Sequence, residues 1–406
     1  MKKKILIVDD SALMRRVLCD IINSDERFEV ADMAVNGIEG FKLIVARNYD
    51  AVVLDVYMPQ MTGLDMLREM QKSNVTANVL MASTTTGEGA RETLTALELG
   101  AIDFIKKPEN VADARHAEFR ARFLDQLEAV SEANVGRKRI SRPVSGLQDT
   151  KKTGPTFTAR YDVNFHNQKT PATGVSMSMG ASKPATAAPG VMPSSLTGLK
   201  AGGEVKLRPA EEVRGKKIVA IASSTGGPKA LQEVIPKLPK NLNAPVLLVQ
   251  HMPKGFTFTL AERLNELSNV TVTEAKEGEK LEMGHVYIAE GGLHLNAIKK
   301  DGGYKIRYTD EPSREGVKPC ANYMYESLCN SDYDQIVCVV LTGMGCDGTA
   351  GIKALDRKKK IHVIAQDQET CTVYGMPKSI AISGLVNEVV PLEKVAEHIT
   401  KIVGVR

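Results

Sequence analysis

"QIVCVVLTGMGCDG", Gln335 to Gly348, is an apolar run that ends in a glycine-rich turn, and the helix-like "TAGIKALDRKKK" follows it. A run with no polar alternation reads as a strand buried on both faces of a parallel sheet. Its turn carries Gly343, Gly345 and Gly348 at the G-x-G-x-x-G spacing of a dinucleotide cradle, and Asp367 stands about twenty residues on, where such a site keeps its ribose-binding acid. Asp347 argues against that use, because its carboxylate would face a pyrophosphate in a poorly solvated turn. The cradle also belongs to the first βα unit of a domain, whereas this unit comes near the end of one.

Working outward, the same rhythm of strand and helix recurs from Lys216 to the end. "KKIVAIASS", "APVLLVQHM", "KIHVIAQD" and "GLVNEVV" read as further strands, with helices such as "GPKALQEVIPKL" between them. Between them "EGEKLEMGHVYIAEGGLHLNAIKKDGGYKIRYTD" switches to short alternating runs broken by glycine pairs, which predicts antiparallel hairpins at one sheet edge. His285 and His294 lie in that stretch without a third ligand at metal-binding spacing, so they read as packed side chains. Loops at the carboxyl ends of parallel strands build the ligand site of such a sheet. Those loops bring Ser224, His251 and Asp347 to one edge, the parts of a nucleophilic hydrolase in which His takes the serine proton and the acid orients the His. The glycines after Ser224 permit close backbone approach, and Pro228 suits the opening of the next helix. A His after a strand is commonly a packed side chain; His251 gains weight from the match across all three loops. The order Ser, His, Asp differs from the orders of the best-known serine hydrolases, and no G-x-S-x-G elbow is present, but a triad is defined by geometry.

Residues 1–110 hold a second set of βα units. "KILIVDD", "FEVADMA", "AVVLDVY", "ANVLMAS" and "AIDFIKKP" alternate with helical segments, again predicting a parallel sheet covered on both faces. The strand ends place Asp9, Asp10, Asp55, Ser83 and Lys107 together. Three converging carboxylates call for a hard divalent cation such as Mg²⁺, and a lysine and a hydroxyl suit phosphoryl oxygens. The implied chemistry is attack by an Asp carboxylate on a phosphoryl group.

At these residues the first block, roughly 3–110, resembles a response-regulator receiver domain of flavodoxin-like topology. The resemblance implies Asp55 as phosphoacceptor, with Asp10, Asp55 and the Tyr57 carbonyl on Mg²⁺ and Asp9 just behind. It gives Ser83 the switch hydroxyl, Phe104 the switch aromatic and Lys107 the lysine before the proline, and it implies a chemotaxis histidine kinase as phosphodonor. The second block, in "SSTGGP", "QHMPKGF", "LTGMGCDG" and "QDQETCTVYGMP", resembles the chemotaxis protein-glutamate methylesterase family over roughly 214–403. That implies a three-layer αβα esterase domain hydrolysing glutamate γ-methyl esters on chemoreceptor signalling domains, and often deamidating receptor glutamines. Ser224 is then the nucleophile, His251 the general base and Asp347 its orienter, with the amides of Met344 and Thr225 on the oxyanion and no cofactor for the esterase. The chain departs from the family pattern in Ala222-Ser223 before the nucleophile, in Cys346 before the acid, and in Lys318-Pro319-Cys320, where Arg-Pro-Ser is usual. The competing reading is a non-enzymatic two-component regulator whose C-terminal domain binds a nucleotide or a protein partner and has no use for Ser224 and His251.

Composition sets the frame. The 406 residues are 43% hydrophobic and 25% charged, ordinary values for a globular chain, and include no Trp. No apolar run is long enough to span a bilayer, and "MKKKILIVDDS" turns acidic after four apolar residues, unlike a signal peptide. The expectation is a cytoplasmic protein without membrane insertion. Cys19, Cys320, Cys329, Cys338, Cys346 and Cys371 form no C-x-x-C pair and read as reduced thiols. Residues 136–210 hold 12 Lys/Arg against 3 Asp/Glu, leaving 41 against 46 elsewhere from totals of 53 and 49. These dilute charges lack interleaved aromatics, so they predict a disordered, solvated linker and no nucleic-acid partner. The layout read from the chain is a receiver over 1–120, a helix extension and basic linker over 121–213, and a catalytic domain over 214–406.

Overall fold

The computed structural model describes residues 1–83, 87–108, 113–114, 116–133 and 206–406. The expected low-complexity linker lies outside the described residues as far as residue 205.

The first sheet is built from β1 (Lys3–Val8), β2 (Phe28–Ala34), β3 (Ala51–Asp55), β4 (Val79–Ser83) and β5 (Asp103–Lys106). Their order is β2-β1-β3-β4-β5, and every neighbouring pair is parallel. The strand β3, "AVVLD", is buried at all five positions, as a central strand with helices on both faces must be. The helices are α1 (Ala12–Asn23), α2 (Gly37–Ala46), α3 (Gly63–Lys72), α4 (Gly87–Glu98) and α5 (Ala117–Glu132). The sequence predicts that α5 leaves this block. Instead Phe123, Leu127 and Val130 are buried against Ile5, Ile7, Val53 and Ile105, so α5 closes one face of the sheet. Its apolar stripe is the reason, since an amphipathic helix buries that stripe where a sheet face is open.

The second sheet contains β6 (Lys217–Ser223), β7 (Val246–Gln250), β8 (Thr271–Glu274), β9 (His285–Ile288), β12 (Gln335–Val340), β13 (Ile361–Gln366) and β14 (Glu388–Val390). The order is β14-β13-β12-β6-β7-β9-β8, parallel throughout. The antiparallel pair is present as a separate two-stranded ladder, β10 (His294–Lys300) with β11 (Gly303–Thr309), whereas "HVYI" joins the parallel sheet as β9. The helices are α6 (Gly227–Val234), α7 (Phe256–Leu267), α8 (Ala321–Ser327), α9 (Thr349–Asp356), α10 (Met376–Ile382) and α11 (Val395–Val403). Order reaches further upstream than the composition predicts. Arg208 donates to both carboxylate oxygens of Asp356 at 2.6 and 3.1 Å, and its amide to the Val386 carbonyl at 2.8 Å.

The two sheets pack against each other through β5 and α4 on one side and α6 and α7 on the other. Phe104 stacks on Phe256 with ring centroids 4.4 Å apart. Arg263 pairs with Glu98 at 2.8 Å, and Arg91 approaches Glu262 at 3.7 Å. The Thr225 hydroxyl donates to the Asp103 carboxylate at 2.6 Å.

Candidate functional site

Ser224 is the first residue past β6, and the loop that follows is shaped by glycines. Gly226 takes a φ of 77°, a backbone that L side chains rarely adopt, and a Cβ at Gly227 would come within 1.9 Å of the Gln250 side-chain oxygen. Ser223, the serine just before it, is still inside the strand; its hydroxyl is buried and donates to Gln250 at 2.7 Å. Ser224 is half-exposed, and its amide donates to the Thr342 carbonyl at 3.0 Å. Gly343 is pressed against it, since a Cβ there would lie 2.7 Å from the Ser224 Cβ. The loop after β12 therefore sits directly beside the loop after β6.

His251, one residue past β7, points its Nε2 at the Asp347 Oδ2, 2.7 Å away. Asp347 is buried and receives four further donors. Cys320 Sγ, the Asn322 amide and the Gly348 amide reach Oδ1 at 3.0, 3.0 and 2.8 Å, and the Ala321 amide reaches Oδ2 at 2.6 Å. Burial pushes the Asp347 carboxyl up, but the hydrogen bond and charge of His251, with Cys320 and the Ala321 amide, more than reverse this and hold it down at about 2. Such an acid stays ionised at any ordinary pH. Because the acid occupies Nε2, the nitrogen left to accept a serine proton is Nδ1. Among the described residues the Ser224 hydroxyl makes no hydrogen bond to His251. Catalytic hydrogen bonds commonly tighten only with substrate in place.

Neither the Met344 amide nor the Thr225 amide has an acceptor among the described residues; Met344 is partly exposed and Thr225 is buried. Thr342 braces this edge: its hydroxyl donates to the Thr225 carbonyl at 3.0 Å and accepts from the Val373 amide at 2.9 Å. Gln366 accepts from the Thr342 amide at 2.8 Å. No local pattern in the sequence singles out Thr342, Gln366 or Asn322. Asn322 is the most telling omission, since its side-chain oxygen accepts from the Gly348 and Gly351 amides at 3.1 and 2.7 Å. The departure from the family pattern at Lys318-Pro319-Cys320 was the available signal.

In the first sheet, carboxylate oxygens of Asp9, Asp10 and Asp55 lie within 4.8 Å of one another. The Lys107 ammonium bridges Asp9 and Asp55 at 2.6 Å to each. Burial pushes Asp55 up to about 6; Lys107 pulls it back and Asp9 raises it again, while the Tyr57 amide also bonds the carboxylate. Three hard oxygens this close, with a cation already drawn between two of them, fit a divalent ion of the Mg²⁺ kind. Ser83 is buried beside Thr93, whose hydroxyl donates to it at 2.7 Å, and it bonds the Gly89 carbonyl at 3.3 Å. Phe104 is buried under the second block.

A serine, a histidine and an acid on one rim of a parallel sheet, coupled to a receiver fold, define a response regulator with a hydrolase domain. The family model described as CheB methylesterase matches residues 219–399, and that described as response regulator receiver domain matches residues 5–117. The chain is 38% identical, over 98% of both chains, to the protein-glutamate methylesterase/protein-glutamine glutaminase of Bacillus subtilis (strain 168). It is 35% identical, over 99% of both, to that of Geobacillus kaustophilus (strain HTA426). The solved catalytic domain of Thermotoga maritima CheB methylesterase is 41% identical, with a TM-score of 0.45, and the match covers 47% of this chain and 100% of that one. The chain belongs to the protein-glutamate methylesterase/protein-glutamine glutaminase family.

Proposed function

We propose that this chain is a phosphorylation-activated serine esterase that removes methyl groups from glutamate γ-methyl esters of chemoreceptors, and that it deamidates receptor glutamines with the same residues. The observation that carries this reading is the His251–Asp347 bond on the same rim as Ser224. In the proposed cycle the Ser224 hydroxyl attacks the ester carbonyl carbon, and its proton passes to His251 Nδ1. The Met344 and Thr225 amides take up the oxyanion. Collapse breaks the bond to the methoxy oxygen, which leaves as methanol with the proton from His251. A water then attacks the glutamyl–Ser224 ester, gives its proton to His251, and returns a glutamate carboxylate and free Ser224.

Asp55 is the phosphoacceptor in this reading, and a histidine kinase of the chemotaxis type is the donor. Asp9, Asp10, Asp55 and the Tyr57 carbonyl would hold Mg²⁺, which when bound offsets the crowding of negative charge at the phosphoryl transfer. Lys107 receives a phosphoryl oxygen, and the Ser83 hydroxyl turns from Gly89 to another. Without phosphate the receiver rests on the nucleophile's loop through Asp103, Phe104 and α4, and phosphorylation shifts the population towards a released form. The C-terminal block binds no nucleotide in this reading; the glycine-rich turn serves the acid and the oxyanion. Among the described residues no helix is long and apolar enough to cross a membrane, which suits an enzyme acting on the cytoplasmic domains of receptors.

The test is methanol release from a methylated receptor fragment by the full chain, with and without acetyl phosphate and Mg²⁺. Release that rises with phosphodonor and vanishes in Ser224→Ala is the expected result. Full release from Ser224→Ala would remove the nucleophile.

A further inference from the structure

We propose that Cys320 is a positioning residue for the esterase reaction, its thiol aiming the Asp347 carboxylate at His251. The inference rests on the triad reading above and adds to it a residue of this chain's own, at a position where the family pattern has serine.

Cys320 is fully buried, and its sulfur lies 3.0 Å from Asp347 Oδ1. Oδ1 is the oxygen that His251 does not use, so a donor there fixes the rotation of the carboxylate and leaves Oδ2 facing the imidazole. The thiol is itself held at the backbone. The Cys320 amide donates to His294 Nδ1 at 3.2 Å, and the other ring nitrogen of His294 faces the Pro312 carbonyl at 3.3 Å. His294 is therefore neutral, accepting at Nδ1 and donating at Nε2. Burial lowers its pKa, which keeps it in that form. The thiol stays protonated as well, because burial and the adjacent carboxylate both oppose ionisation. A path of named contacts thus runs from His294 through Cys320 and Asp347 to His251.

Position alone would also suit a packing role, so the discriminating quantity is the charge that Asp347 offers His251. Every donor on the carboxylate draws off some of that charge. Removing the thiol leaves more of the Asp347 charge for the imidazolium that the reaction forms, which the pH profile of kcat/KM registers. The groups bearing on Asp347 are His251 and Cys320, with the Ala321, Asn322 and Gly348 amides.

The experiment compares wild type, Cys320→Ala and Cys320→Ser as full chains activated with acetyl phosphate and Mg²⁺. Methanol release from a methylated receptor fragment is followed from about pH 5 to 9. Cys320→Ala is expected to lower kcat about two- to fivefold with KM unchanged, as for loss of one weak donor, and to move the acid limb of kcat/KM up by roughly half a pH unit. Cys320→Ser restores kcat to within about twofold and returns the limb to the wild-type position or below, because a hydroxyl is the stronger donor. An acid limb unmoved in both variants, with any loss tracking the thermal midpoint, overturns the assignment. Wild-type release from Ser224→Ala and Asp347→Asn run alongside would instead strike the triad itself, and the role of Cys320 would fall with it.

Discussion

Asp103 and Thr225 share a hydrogen bond of 2.6 Å that joins the two sheets one residue from Phe104 and one residue from Ser224. Asp103 is buried, which pushes its carboxyl up; Thr225, the Phe104 amide and Gln126 are the groups that hold it. The bond ties the amino end of β5, the end away from Lys107, to the loop that carries Ser224. In the proposed cycle, removing it favours the released form. Asp103→Ala is expected to raise methanol release without phosphodonor roughly tenfold, in line with one hydrogen bond to a charged group, and to leave the phosphorylated rate unchanged. An unchanged unphosphorylated rate would show that this bond does not restrain the enzyme.

Phe104 and Phe256 supply the apolar part of the same contact. A stacked pair contributes about 1 kcal/mol beyond its buried area. Phe104→Leu and Phe256→Leu should each raise the unphosphorylated rate about threefold to fivefold. The double variant should gain less than the product of the two, because each single change already breaks the shared stack. Multiplicative gains would mean that the rings act separately.

How far the sequence discloses this molecule depends on where a residue's partners lie. The acids, the lysine, Ser224, His251 and Asp347 are legible because each falls at the end of an apolar run, and a parallel sheet gathers its strand ends on one rim. The hydrogen bond between Asp103 and Thr225 is not, since nothing in either local pattern encodes a partner 122 positions away. Cys320 and Asn322 are missed for a similar reason. They act through backbone and side-chain donors of a short helix start, in a stretch without clear periodicity. The fate of α5 turns on tertiary burial, which its amphipathic stripe permits without specifying which sheet receives it. The strand β8 is short and half-exposed, so its alternation is too brief to separate it from a loop.

Asp55 gives a prediction for the receiver without metal. Its carboxyl is pushed up to about 6 from the ordinary 3.8, with burial the first cause and Lys107 the main counterweight. An acid whose folded pKa exceeds its unfolded value costs stability as pH rises through that interval, because the unfolded chain gives up the proton first. Asp55→Asn should therefore flatten the fall in thermal midpoint between about pH 4 and 6 in EDTA, and stabilise the chain near neutrality by about 3 kcal/mol. The same variant should take no phosphoryl group from acetyl phosphate and show no activation. A phosphorylated Asp55→Asn chain would move the acceptor elsewhere.

Asp347 has the opposite sign and separates its two roles. His251, Cys320 and the Ala321 amide overcome the effect of burial and hold its carboxyl at about 2 against an ordinary 3.8. The stability this contributes is complete above the ordinary value and is lost as pH falls from about 4 to about 2, some 2 kcal/mol in all. Asp347→Asn should remove that acid-sensitive part, so that unfolding followed by circular dichroism loses its steep limb between those values. Near pH 7 the same variant should turn over about four orders of magnitude more slowly, and Ser224→Ala about six, as a hydrogen-bonded triad requires. If Asp347→Asn loses the acid limb but keeps wild-type methanol release, the carboxylate serves the fold alone, and His251 must find its orienter in another residue.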